Sequence, residues 1–154
     1  MNLQSRVNDY EAATHEVLRV FEEVNFERLD RHVEGSWSAR QIIHHLADSE
    51  THSYLRLRRL IAEPPGSTIQ GYDEAAWASN RTLGYEQLPV EHAMDIFRTV
   101  RRGSLDVLRR LQDRDLARYG EHSESGRYTL DVWLHIYTSH PRDHAEQLRQ
   151  AIAS

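Results

Sequence analysis

The chain contains no cysteine, which excludes disulfides, thiolate metal sites and cysteine nucleophiles. It contains no lysine either. All 19 basic residues are arginine, so Schiff-base chemistry on a lysine is ruled out; codon bias in a GC-rich genome is the simple origin of that usage. Acidic residues outnumber basic ones, giving a formal net charge of −5, and a nucleic-acid binder normally shows the opposite balance. No apolar run approaches the length needed to cross a bilayer, and no signal-peptide pattern opens the chain. The expectation is a cytoplasmic protein with no membrane and no nucleic-acid partner. Its 154 residues suit one domain, residues 1–154, with a proper core.

What the sequence does contain is helical periodicity. Apolar residues recur at helical spacing in four long segments, with no sustained strand-like alternation. The first covers about 2–24, with Leu3, Val7, Tyr10, Val17, Phe21 and Val24 on one stripe. The second opens at "WSARQI", where Ser38 and Gln41 form a capping box and Trp37 staples against Ile42, and runs to about Ala62 before "EPPG". The third covers about 89–112 behind Pro89, with Phe97, Val100, Leu105, Leu108 and Leu111 inward. The fourth starts after "SGRYT", capped by Thr129, and continues to the end of the chain. Between the second and third, residues 63–88 form a crossover with a short helix at "YDEAAWA". The fold expected is all-α, a four-helix bundle with that long crossover between its second and third helices.

Ten histidines are many for this length. Random placement gives about 0.6 His-x-x-x-His pairs, so spacing alone decides little. Facing adds more. In "DVWLHIYTSHPRDHAEQL", His140 and His144 fall on the arc of Leu130, Trp133, Tyr137, Leu148 and Ala151, whereas His135 points away. Two imidazoles one turn apart reach one ion. The alternative is a pair of core histidines satisfied by hydrogen bonds. In "IIHHLADSE", His45 lies at the flank of the apolar face with Ser49 one turn on, and His44 faces solvent within reach of Asp48. His52 lies on the His45 side, too far along the axis to share an ion. His15, His32, His92 and His122 have no partner at ligand spacing and read as surface residues. No Glu-x-x-His occurs, which excludes the di-iron bundle pattern.

Glu50 projects from the middle of an apolar arc, where a carboxylate needs a partner. An internal ion pair with Arg101, which also falls on an apolar arc, is the favoured reading; a general base or a partner to a metal ligand is the other. Asp48 and Tyr72 are the remaining candidates for a base.

Together "WSARQIIHHLADSETHSYLR", "YDEAAWA" and "TLDVWLHIYTSHPRDHAEQL" resemble the DinB/YfiT-like metalloenzymes, in particular the YfiT branch, over spaced segments of residues 36–148. The resemblance implies a four-helix bundle, often a homodimer, holding a divalent metal such as zinc or nickel through His45, His140 and His144. It also implies chemistry on small-molecule substrates. The leading expectation is a transferase joining a low-molecular-weight thiol cosubstrate to an electrophile; the others are a metal-dependent hydrolase, with Asp48 or Glu50 as catalytic acid–base groups, and a non-catalytic stress-associated bundle. Pro141 is a departure. It removes a hydrogen bond to the Tyr137 carbonyl, at a helix-interior cost of about 3 kcal/mol, and metal coordination is one way to hold such a turn.

Overall fold

The computed structural model describes residues 1–154 throughout. In chain order the helices are α1 (Leu3–Glu23), α2 (Ala39–Ala62), the short α3 (Glu74–Ser79) of the crossover, α4 (Glu91–Leu108) and α5 (Leu130–Ala153). Side chains set most of the starts. Asn2 accepts from the Ser5 N–H, Ser38 and Gln41 close their reciprocal box, and Thr129 Oγ1 accepts from the Val132 N–H. α4 is shorter than its apolar pattern. It begins without a side-chain cap and stops at Leu108, because Gln112 and Asp115 cap a separate 3-10 turn just beyond. No helix is long and apolar enough to cross a membrane.

α1 and α2 each pack against both α4 and α5. Residues 42–47 of α2 share an apolar cluster with residues 90–97 of α4, while Leu57 and Leu60 share another with Leu108. Those two helices therefore run parallel, an arrangement that a short connection forbids and the crossover allows. α5 runs antiparallel to α2, since His45 meets His140 whereas the Ser53 carbonyl accepts from Trp133 Nε1.

The helical bundle carries a small sheet that its periodicity does not announce. β1 (Thr68–Ile69) pairs parallel with β2 (Tyr119–His122), which pairs antiparallel with β3 (Gly126–Thr129). Strands of two to four residues are too short for alternation to register. Gly126, at φ 80°, makes the hairpin turn. The Gly71 N–H then donates to Ser123 Oγ at 2.9 Å, so the crossover is tied to the hairpin above one end of the bundle.

The core is two apolar clusters with a belt of buried polar residues among them: Thr14, Ser49, Glu50, Ser53, Arg101 and Ser104. Arg101 is the hub. Its Nη1 donates to Glu50 Oε1 at 3.1 Å and to the Tyr137 carbonyl at 2.6 Å, its Nη2 to the Tyr10 carbonyl at 3.0 Å, and its Nε to Thr14 Oγ1 at 2.8 Å. The guanidinium also lies 3.6 Å from the Tyr10 ring centroid. The Tyr137 carbonyl is the one that Pro141 leaves without its helical donor. An arginine from α4, diagonally across the bundle, supplies the missing hydrogen, and α5 runs unbroken through its proline.

Removing one member of a buried ion pair costs about 3–5 kcal/mol. Arg101→Met is therefore expected to lose at least that much in urea unfolding, since it strands the Glu50 carboxylate and the Tyr137 carbonyl together. Adding Pro141→Ala to that variant restores a backbone donor for Tyr137 and recovers roughly 1 kcal/mol. A double-mutant cycle with no coupling between positions 101 and 141 contradicts this assignment.

Candidate metal centre

His45 sits two turns into α2 and is fully buried; His140 and His144, one turn apart on α5, are half-buried opposite it. The burial of His45 exceeds what its flank position predicts, because Trp37 folds over it with ring centroids 5.0 Å apart. Trp37 thus packs on the core cluster that contains Ile42 and on the imidazole as well.

The three rings turn the same atom inward. His140 Nε2 lies 3.4 Å from His45 Nε2 and 3.0 Å from His144 Nε2, and the three ligand atoms all lie within 4.8 Å of one another. Nitrogens bound at about 2.0–2.1 Å to one ion would stand about 2.9 Å apart at right angles and about 3.4 Å apart at the tetrahedral angle. The two separations from His140 Nε2 fall in that range.

Hydrogen bonding among the rings does not satisfy them. His144 Nδ1 donates to Gln147 Oε1 at 2.8 Å, which leaves its Nε2 as a bare lone pair facing His140. His45 Nδ1 and His140 Nδ1 are buried and have no partner at all. Burial holds the His45 imidazole down at about 4, helped by His144, and the His140 imidazole at about 3, helped by His144, His45 and Arg101. Burial also lowers His144, against the Gln147 hydrogen bond and the charges of Glu74 and Asp143. All three are neutral lone-pair donors at pH 7, the state in which imidazole binds a divalent cation. Three neutral nitrogens fit such an ion and leave part of its coordination free, which is the pattern of catalytic rather than structural zinc.

A cavity of about 160 Å³ opens beside His140, lined also by Ser49, Arg56, Tyr72, Glu74 and Tyr137. The Tyr72 ring stacks on His52 at 3.9 Å and its hydroxyl is buried without a partner. Burial raises the hydroxyl above the ordinary tyrosine range, with the Glu74 and Asp48 charges adding to it, so it stays protonated and able to donate. His122, read from sequence as a surface residue, borders the same cavity because the hairpin folds over it.

The other site residues read from sequence lie elsewhere. Glu50 is enclosed with Arg101 and accepts from Ser53 Oγ at 2.8 Å, which is the ion-pair reading. Asp48 accepts a hydrogen bond from the Tyr85 hydroxyl. Neither carboxylate borders the cavity. His44 does not pair with Asp48; it lies against Tyr85 with its Nε2 3.1 Å from the Leu88 carbonyl. Gln147 and Glu74 escaped sequence reading. Gln147 had a signal, its place one turn after His144, whereas Glu74 depends on where the crossover lies.

The family model of the DinB superfamily matches residues 9–148. The chain belongs to the DinB superfamily. This DinB chain is 35% identical over 123 residues to a protein of Oceanobacillus iheyensis, covering 79% of this chain and 69% of the relative. It is 28% identical over 143 residues to one of Bacillus cereus strain G9842, covering 92% and 80%. Both relatives carry the name "Putative metal-dependent hydrolase". Among solved structures, YfiT from Bacillus subtilis superposes with a TM-score of 0.84 at 24% identity, over 97% of this chain and 85% of that one. It is described as having "an unusual four-helix bundle topology", and the likeness shows that fold.

Two expectations follow. Zinc or nickel added to metal-free protein binds at about one ion per chain by elemental analysis. Alanine at His45, His140 or His144 abolishes that binding, and Gln147→Ala weakens it about 10–100-fold. Full binding by the alanine variants would discard the trio. The second concerns pH. Unfolded imidazoles ionise near about 6.5, so between that pH and about 3 the unfolded chain holds more protons than the folded one. The stability of the metal-free protein is then complete above pH ~6.5 and falls as the pH drops toward 3. Urea midpoints measured from pH 7 to 4 should decline more steeply in the native chain than in a His45→Ala/His140→Ala variant.

Proposed function

We propose that this chain is a metal-dependent hydrolase of small polar substrates, working at the His45, His140 and His144 cluster. The observation that carries the reading is the convergence of three neutral Nε2 atoms beside an open polar cavity. The names of the Oceanobacillus and Bacillus relatives support it, as does the description of YfiT as a "probable metal-dependent hydrolase". A divalent ion in the cluster, zinc or nickel by its imidazole donors, would supply Lewis-acid activation of water and of a substrate carbonyl.

The protein's own groups have separable roles. Gln147 Oε1 fixes the His144 tautomer so that Nε2 faces the cluster. Tyr72 Oη offers a hydrogen bond to a substrate oxygen. Glu74, on the first turn of α3, is with Glu124 one of two carboxylates at the cavity wall without an ion-pair partner, and its charge is the one that acts on His144, Tyr72 and Tyr85. It is the candidate to take the proton from water at its side-chain carboxylate.

Thiol transfer is the second reading. It needs a thiol cosubstrate from outside, because the chain has no cysteine. The observation in its favour is that Asp48 and Glu50 are both already engaged. A thiol, ionising near about 8.5, asks less of a general base than water does.

Protein loaded with zinc or nickel is expected to cleave members of an ester and amide panel, to lose activity with a chelator and to regain it with metal. Glu74→Gln should lower kcat about 10²–10⁴-fold at unchanged metal content and melting temperature, whereas Glu50→Gln should act on stability first. Consumption of a low-molecular-weight thiol with an electrophile, and no hydrolysis, selects the second reading.

A further inference from the structure

Arg56 reaches from α2 into the wall of the same cavity. It is half-buried and takes part in no ion pair. Neutral groups hold its fork in place: Nη1 donates to Tyr137 Oη at 3.0 Å and Nη2 to the Gln70 carbonyl at 2.9 Å. Its Nε is buried with no partner, as is the Tyr72 hydroxyl on the same cavity. A half-buried guanidinium with no ion-pair partner and a buried, unused Nε–H, beside a second unused donor, lacks an acceptor that the protein does not provide. Burial raises the Tyr72, Tyr128 and Tyr137 hydroxyls, and the Arg56 charge works against that rise at all three, so its field fills this end of the cavity.

The anion can be specified further. The exposed Glu74 and Glu124 stand at the mouth, where they repel a dianion more than a single charge. That favours a carboxylate over a phosphate, and a planar carboxylate suits the guanidinium. Length also follows. From His45 to Arg56 the helix rises roughly 16 Å, and the arginine side chain, longer than the imidazole, reaches further back toward the helix N-terminus, leaving a span on the order of 10 Å.

We propose that Arg56, with the Tyr72 hydroxyl, holds the carboxylate of an elongated small acid whose reacting end lies at the histidine cluster. Arg56 is thus a specificity residue, and the inference rests on the reading of that cluster as a metal centre.

The test uses the full chain. Zinc-loaded protein is titrated by calorimetry with hydroxamates carrying a terminal carboxylate on chains of increasing length, and with their neutral carboxamide counterparts. At one length the acid should bind at least about tenfold tighter than the amide, and Arg56→Gln should reduce the acid to the affinity of the amide. In metal-free native protein, glutaramate, which carries a single carboxylate, should shift the nitrogen resonance of one arginine Nε–H, a signal missing from the Arg56→Gln spectrum, while glutaramide leaves it in place. Equal affinities with an unmoved resonance overturn the carboxylate site even if both hydroxamates bind. A shift with glutaramate but no hydroxamate binding supports the carboxylate site and overturns the metal centre instead. Inorganic phosphate moving the resonance as far as glutaramate does overturns the choice of carboxylate.

Discussion

The fold depends on one guanidinium. Arg101 leaves α4 and, inside the core, touches the Tyr10 carbonyl and Thr14 of α1, Glu50 of α2 and the Tyr137 carbonyl of α5. Four helices are thereby fixed to one planar fork. Apolar packing alone tolerates small slides of one helix along another, since one methyl group fits much as the next does. A directional donor set does not. Each N–H that misses its acceptor leaves a buried polar group exposed to the full desolvation penalty. We regard the belt around Arg101 as the feature that sets helix register, because a well-packed apolar belt would match it in stability but not in direction.

Register is what the histidines need. His45 lies less than two turns before Glu50 on α2, and His140 lies one residue before the proline whose vacant carbonyl Arg101 fills. The two helices that meet at the cluster are therefore clamped within a few residues of it by the same side chain. A slide of one residue moves a helix by about 1.5 Å, enough to separate Nε2 atoms that now stand 3.0 and 3.4 Å apart. Pro141 belongs to this arrangement. With an N–H at position 141 the Tyr137 carbonyl would already accept a bond within α5, and Arg101 would have to share it.

The parts of this structure legible in the sequence were those written over short distances or with strong periodicity. The Ser38–Gln41 box, the Thr129 cap and the stop before Glu63 gave α2 and α5 their ends, and facing placed His45, His140 and His144 toward one interior. The pairing of Glu50 with Arg101 was readable too, because two charged residues on apolar arcs need each other. What escaped was set by tertiary placement. The sheet pairs strands some fifty residues apart and too short to show a pattern. The cavity walls come from the crossover and the hairpin, so nothing local to Glu74, His122 or Arg56 marked them. Pro141 is visible in the sequence, but its compensation by a residue forty positions upstream is not.

The two buried polar groups of the core differ in completeness, and that difference separates structure from function. Around Arg101 the charges meet: a carboxylate, two carbonyls and a hydroxyl face a guanidinium, and only the neutral Tyr10 and Ser104 hydroxyls of that belt lack partners. Around His140 they do not. Two ring nitrogens are buried without partners, and three Nε2 atoms converge on one point with no carboxylate among them. A fold selected only for stability would replace such a cluster with apolar side chains, because neutral imidazoles facing one another return little for the desolvation they incur. It persists beside a belt that already fixes the helices, so it is not required for register. The remaining physical reason to hold three bare nitrogens at that spacing is a cation, brought to a position where a cavity gives it access to a guest.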